Sequence, residues 1–173
     1  MADRPRFAIL ASGRGTNAEA LMELFASGEV AAELVLVLGN VAGAAVLDRA
    51  RRRGIPTAVV SHRGMDREDH EDLVLECLQE HRVDHLALAG YMRILSPHLL
   101  DRFPGPILNI HPSLLPDFPG LDAPRRQWEA GVAEAGATVH LVTEEVDRGP
   151  ILLQGRIRLR GDEGPEGVAR RIL

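Results

Sequence analysis

The groups in this chain best suited to chemistry are an amide and an imidazole two positions apart. They are Asn109 and His111, within Ile107-Leu108-Asn109-Ile110-His111-Pro112-Ser113-Leu114-Leu115-Pro116. Residues two apart on a strand point to the same side. The stretch opens as a short apolar run and passes into Pro-rich sequence that must end a strand. Both polar groups are therefore expected at the strand's mouth. An amide that can donate to a developing oxyanion, beside a base that can move a proton, suits acyl transfer. Asn-x-His alone is also what a plain strand end presents, with Asn starting a turn and His capping a loop, and short motifs are weak signals.

A base in that role needs a group that orients its ring and favours the imidazolium form, and a carboxylate does both. Among several acids, Asp147 is the best placed, because it lies in the loop Glu144-Glu145-Val146-Asp147-Arg148-Gly149-Pro150 rather than on a helix face. A turn residue is the competing reading. The remaining histidines, His62, His70, His81, His85, His98 and His140, lack a paired amide in such a setting. His140 alternates with Thr138 and Val142 and reads as a satisfied sheet or core histidine.

A second chemical stretch is Ser12-Gly13-Arg14-Gly15-Thr16-Asn17, between an apolar run and a helical pattern. Glycines let a backbone approach an anion, and a helix start supplies free N–H groups and partial positive charge. Thr16 or Asn17 is expected to cap the helix or touch a ligand; a tight turn that simply needs glycine is the plainer alternative. Gly13-x-Gly15-x-x-Ala18 also fits a relaxed dinucleotide fingerprint. That reading requires an acid after the second strand, where Gly39-Asn40 stands instead, so a single phosphate is the better expectation.

Composition narrows the chemistry further. All 20 basic residues are Arg, so a lysine Schiff base and a P-loop lysine are excluded, and anions must be held by Arg, backbone N–H groups or small polar side chains. The net charge of -5 offers no basic field for nucleic acid. The single Cys77 excludes an internal disulfide, provides no zinc cluster and fits a reducing cytoplasm. It falls in the helical pattern Leu73, Leu75, Cys77, Leu78 and reads as packing. Residues 1–6 are too short and polar for a signal peptide, and no run is long enough to cross a membrane.

These groups need a frame. Residues 7–11, 34–38, 57–60, 86–89 and 107–110 read as strands. Residues from 18, 44–53, 66–79 and a short piece from Ser96-Pro97 read as helices between them, the first with apolar positions Leu21, Met22, Leu24 and Phe25. This alternation predicts an α/β, Rossmann-like, doubly wound and mostly parallel sheet, which binds ligands beyond the carboxyl ends of its strands. The glycine loop, the segment 91–95 and the Asn109/His111 pair all follow strand ends and are expected on one edge. Residues 123–130 have helical character, and 117–120 have loop chemistry suited to a lid. Residues 137–143 alternate with period two, and 151–159 form a more polar strand, so an antiparallel hairpin is expected at the C-terminal end. The whole of 1–173 reads as one domain.

Four motifs in this order resemble one family. They are Ser-Gly-x-Gly-x-Asn from Ser12, Ala-Gly-Tyr-Met-Arg-Ile-Leu from Ala89, Asn-Ile-His-Pro-Ser-Leu-Leu-Pro from Asn109 and Asp-x-Gly-Pro from Asp147. Together they look like the folate-dependent phosphoribosylglycinamide formyltransferases of purine synthesis, over about residues 7–159. Phe-Pro-Gly-Leu from Phe118 favours this branch over methionyl-tRNA formyltransferase and over formyltetrahydrofolate deformylase. The resemblance implies a catalytic triad of Asn109, His111 and Asp147, and a ribonucleotide phosphate held at Gly15, Thr16 and Asn17. It implies a folate site formed by Arg67, Met92, Arg93, Ile94, Leu95, Val142 and Thr143 together with Asn109. The co-substrate it implies is 10-formyltetrahydrofolate, with no metal.

The implied reaction is attack of the glycinamide amine on the formyl carbon. Asn109 and a protonated His111 donate to the tetrahedral oxyanion, while Asp147 favours that protonated form and orients a water that shuttles the proton. The resemblance also implies small-molecule partners, no nucleic acid or membrane, a monomer or homodimer, and a cytoplasmic location. Two departures stand out. Asp122 follows Pro-Gly-Leu where the family has His, and the sequence stops inside a helix, 166–173, that the family extends to a Glu-His pair. The first alters the charge of the loop and its closing contacts, and the second bears on the ribonucleotide side and suggests a domain short at its C-terminus. Two readings stay open beside the transferase: a deformylase, with water in place of the amine, and a nucleotide-binding module of another class.

Overall fold

Parallel strands cannot be joined by tight turns and need crossover helices, and the first part of the chain supplies one for each step. The computed structural model describes residues 4–172. It divides into two compact units, one reaching to Ile107 and one starting at Leu108. The first unit runs β1 (Arg6–Ala11), α1 (Thr16–Ser27), β2 (Glu33–Gly39), α2 (Ala45–Arg52), β3 (Thr57–Val59), α3 (Arg67–Glu80), β4 (His85–Leu88) and α4 (Pro97–Arg102). Its strands pair in parallel in the order β3-β2-β1-β4. Chain order thus reverses at β1, whose two neighbours are β2 and β4, and ligand crevices open at such switch points.

Past their first residues β1, β2 and β4 are apolar, because both faces are covered there. Ile9, Leu10, Leu36, Val37, Leu38 and Leu86 are fully buried. On one face Ile9 and Val37 pack with Met22 of α1 and with Val46, Leu47 and Ala50 of α2. The helices bury narrower stripes than their apolar content suggests. In α1 the buried positions are Ala18 and Met22, while Leu24 is exposed. In α3 the buried stripe is His70, Glu71, Val74 and Leu78, and Leu73 faces outward. Two polar residues therefore occupy the α3 face where the sequence pattern pointed to Leu73, because i, i+4 position rather than residue type decides the face. Cys77 is half-buried, and burial pushes its thiol upward, as suits an unreactive packing residue.

The second unit contains β5 (Ile107–His111), α5 (Ala123–Glu129), β6 (Glu134–Leu141), β7 (Ile151–Arg158) and α6 (Gly164–Ile172). Its three strands are antiparallel in the order β5-β6-β7. The hairpin is the one expected, but β6 begins three residues earlier than its alternating pattern and ends before Val142 and Thr143. Its early part holds Gly136, a poor strand former by composition. An added Cβ there would lie 2.0 Å from the Gly155 carbonyl oxygen of β7, so glycine is what permits this close pairing.

Candidate active site

In the first unit the glycine loop connects β1 to α1. Gly15 caps the helix in the left-handed region at φ 76°, and no side chain makes a cap hydrogen bond. The expected capping by Thr16 or Asn17 is thus replaced by a backbone cap, with Thr16 as the first helical residue. A Cβ on Gly15 would also fall 2.5 Å from the Val46 side chain, so glycine is required both by its φ and by the approach of α2. The neighbouring Gly13 is different: an added Cβ there meets nothing within 4 Å. Its carbonyl accepts a hydrogen bond from the Val46 N–H at 3.2 Å. The loop is therefore braced against the start of α2, with the N–H groups of the first turn of α1 left unpaired within the helix, as every helix start leaves them.

The other side of this loop meets the segment after β4. The Ser12 N–H donates to the Gly90 carbonyl at 3.0 Å, and the Met92 N–H donates to Ser12 Oγ at 2.8 Å. Met92 and Ile94 are 69% and 57% exposed, while Leu95 is buried and Arg93 half-buried. Two exposed apolar side chains at the carboxyl end of a parallel sheet suit a flat apolar ligand better than water. Beneath them Tyr91 is buried enough to push its phenol up to about 12, with Arg93 opposing and Glu71 adding to the shift. The far end of the segment is held by buried Glu71, which accepts the Ser96 N–H at 2.9 Å and a close bond from the Ser96 hydroxyl. Arg67 stands exposed at the first position of α3, one turn before Glu71.

In the second unit Asn109 and His111 lie on β5, two residues apart, as the spacing required. His111 is buried, and its two ring nitrogens face two oxygens. Nε2 donates to the Phe118 carbonyl at 3.0 Å, and Nδ1 lies 3.3 Å from Asp147 Oδ2. Only a doubly protonated ring can donate to both. Asp147 Oδ2 also accepts the Gly120 N–H at 2.7 Å. The Asp147 carboxyl is held below the usual carboxylate range. Its bond with His140 is the main cause, the Gly120 N–H and the charge of His111 add to it, and burial opposes it.

The motif residues around the pair fix this geometry. Asp147 adopts the left-handed region at φ 56°, and Gly149 follows where a Cβ would sit 1.8 Å from the Leu141 carbonyl oxygen. Asp-x-Gly-Pro is thus a turn folded tightly onto the end of β6, which aims the carboxylate back at β5. The turn after His111 is tied by Ser113 Oγ to the Asp117 carbonyl at 2.6 Å, and by buried Thr138, which donates to the Ser113 carbonyl and accepts the Leu115 N–H. The Leu115–Pro116 peptide is cis. The Phe118 carbonyl on His111 and the Gly120 N–H on Asp147 fold residues 117–120 onto the pair, with Arg126 holding the Pro119 carbonyl at 2.5 Å.

The structure gives His140 the paired amide that its place in the sequence does not show, a correction to the sequence expectation. It is the cross-strand partner of Asn109, with Asn109 Nδ2 at 3.1 Å from its Nε2 and Asp147 Oδ1 at 3.6 Å. Its Nδ1 donates to the Leu141 carbonyl at 2.9 Å. Burial works against charge on this ring, yet the bond with Asp147 and the Leu141 carbonyl outweigh it and raise its pKa. The missing signal was strand register, which no single-strand pattern contains. Val142 is half-buried and Thr143 exposed just past β6, with Thr143 Oγ1 donating to the Glu145 carbonyl. Among the described residues no cluster of three or more His, Cys, Asp or Glu side chains could hold a metal ion.

Comparison with known proteins agrees with this arrangement. The formyl transferase family matches residues 5–173. Phosphoribosylglycinamide formyltransferase of Haemophilus influenzae is 42% identical over 167 residues, covering 96% of this chain and 79% of that protein. The trifunctional purine biosynthetic protein adenosine-3 of Drosophila pseudoobscura is 42% identical over 98% of this chain, which spans only 13% of that much longer protein. The crystal structure of glycinamide ribonucleotide transformylase 1 from Symbiobacterium toebii superposes with a TM-score of 0.95 at 40% identity, covering 99% of this chain and 82% of that one. The fold is thus the α/β, Rossmann-like formyltransferase fold, and the chain belongs to the formyl transferase family, among its phosphoribosylglycinamide formyltransferases.

Proposed function

We propose that this protein transfers the formyl group of 10-formyltetrahydrofolate to the amine of N1-(5-phosphoribosyl)glycinamide, as a folate-dependent step of purine synthesis. The observation that carries the reading is the buried His111–Asp147 pair beside Asn109. The amine nitrogen attacks the formyl carbon, the carbonyl π electrons move to oxygen, and a tetrahedral intermediate forms. Asn109 Nδ2 and His111 donate to that oxygen. The Phe118 carbonyl, 3.0 Å from His111 Nε2, holds the donor that the oxyanion would use, so residues 117–120 give up this contact as substrate enters. Asp147, 3.3 Å from His111 Nδ1, holds the ring in place and orients a water. That water carries the proton from the attacking nitrogen to the folate nitrogen as the C–N bond to folate breaks.

Gly15, Thr16 and Asn17 hold the ribonucleotide phosphate through N–H groups at the start of α1. Arg67, Met92, Arg93, Ile94 and Leu95, with Val142 and Thr143, bind the folate. The exposed Met92 and Ile94 support this assignment. Residues 1–173 act as one formyltransferase domain, a reading supported by the unbroken family match. A single cysteine accords with a cytoplasmic setting.

The deciding experiment is formyl transfer from 10-formyltetrahydrofolate to glycinamide ribonucleotide, with a no-acceptor control. Tetrahydrofolate formed only when the ribonucleotide is present is the expected result. Equal release without acceptor would instead identify a deformylase.

A further inference from the structure

We propose that Ser12 couples the two substrate loops of the first unit, so that an anion at residues 15–17 tightens folate binding at residues 92–95. The proposal rests on the assignment of those two loops given above. Ser12 opens the glycine loop and bonds to the segment after β4. Its N–H extends the β1–β4 pairing to the Gly90 carbonyl, and its Oγ accepts the Met92 N–H at 2.8 Å.

The glycine loop has only one side free to respond to a ligand. Its other side is pinned to α2, where the Gly13 carbonyl accepts from Val46 and Gly15 lies flush against the Val46 side chain. A displacement caused by an anion at the start of α1 is therefore passed to Ser12. The segment beyond Met92 is likewise short and clamped at its end by Glu71 on Ser96. What moves Met92 moves Arg93, Ile94 and Leu95 with it.

The Ser12 hydroxyl is also chemically suited to relay. Among the described residues it accepts one bond and donates none, and it is only half-buried. When its proton is donated to an anion or a water on the anion, its oxygen becomes a better acceptor for the Met92 N–H, because hydrogen bonds in a chain polarise one another. Linkage then requires the reverse effect: folate at 92–95 must tighten anion binding by the same factor.

The test uses inorganic phosphate and folic acid, which lack the glycinamide and formyl groups through which the two substrates would meet. Binding of folic acid to the full chain is measured by calorimetry in inorganic phosphate and in chloride of equal ionic strength. In the wild type, saturating phosphate should lower the folate Kd by roughly five-fold or more, within the usual range of coupling between sites. Ser12→Ala should reduce that ratio to near one while phosphate and folate each still bind, and Ser12→Thr, which keeps the hydroxyl, should retain it. An unchanged ratio in Ser12→Ala, or a ratio of one in the wild type with both ligands binding, overturns the coupling alone. Failure of phosphate to bind the wild type overturns the loop assignment, and failure of folic acid overturns the segment assignment; either removes the proposal with it. If Ser12→Ala does not fold, Ser12→Cys, whose thiol is a weak acceptor, takes its place: a ratio near one is expected, and an unchanged ratio overturns the coupling.

Discussion

Asn109 and His140 are directly opposed across the β5–β6 ladder, with the amide nitrogen 3.1 Å from the ring Nε2. The protonated ring aims its Nε2–H at Asp147 Oδ1, 3.6 Å away, whereas the neutral ring, its Nδ1–H committed to the Leu141 carbonyl, presents a lone pair to Asn109. That fixes one amide hydrogen and leaves the other to donate elsewhere. His140 is thus a positioning residue for the amide. His140→Ala should lower kcat by about tenfold, a part of the ~10²–10³ that one oxyanion donor contributes, with the folate Kd little changed. His140→Gln should recover part of the loss. Steady-state kinetics with parallel folate titration checks both, and an equal loss in the two variants would argue against positioning.

His111→Ala removes both the donor and the partner of Asp147. Turnover should fall by at least about 10² while the fold persists, as judged by circular dichroism and folate binding. Asp147→Asn should have a similar effect, because an amide cannot offer His111 Nδ1 and the Gly120 N–H the two-oxygen carboxylate that now holds both. Normal turnover in either variant would remove that residue from the mechanism.

The same cluster predicts a pH dependence of stability. The Asp147 carboxyl titrates lower in the folded chain than its unfolded value of about 3.9. Its stabilising contribution is therefore present above about pH 4 and lost as pH falls through the lower folded value. His140 is shifted upward, so its contribution is fully present below about 6.5 and lost as pH rises through its higher folded value. Thermal unfolding across pH should show a Tm decline above about pH 6.5 that His140→Gln flattens, and an acid decline that Asp147→Asn flattens. A variant that keeps the wild-type slope in its own window would contradict the assignment.

Two glycines two positions apart in the same motif should behave oppositely. Gly15→Ala meets both a left-handed φ and the Val46 side chain, and should destabilise by about 2–4 kcal/mol. Gly13→Ala meets open space and should stay within about 1 kcal/mol of the wild type. Chemical denaturation of the two variants distinguishes a loop whose glycines share one purpose from the arrangement described.

How far the sequence reached can be judged from particular residues. The order of strands and helices was legible because apolar runs of strand length alternate with glycine and proline breaks. Asn109, His111 and Asp147 were legible as candidates because a strand end and a Gly/Pro loop are local features. His140 was not, because its meaning comes from register with another strand. The buried Glu71 was not, because a carboxylate on a helix reads as solvent-facing until its partner Ser96 is known. Gly15 as the helix cap was hidden behind the two conventional capping residues that follow it.

The contact between Gly15 and Val46 has a consequence for anyone who wishes to change what the first loop recognises. At Gly15 the loop meets helix α2 with no clearance, so variation there requires α2 to be recut at the same time, whereas Gly13 faces open space. Grafting the loop alone into a related scaffold would carry over the motif but not its shape. The smallest transplantable unit runs from Ser12 through Val46, and a library built on that unit would preserve the mould that the motif was cast in.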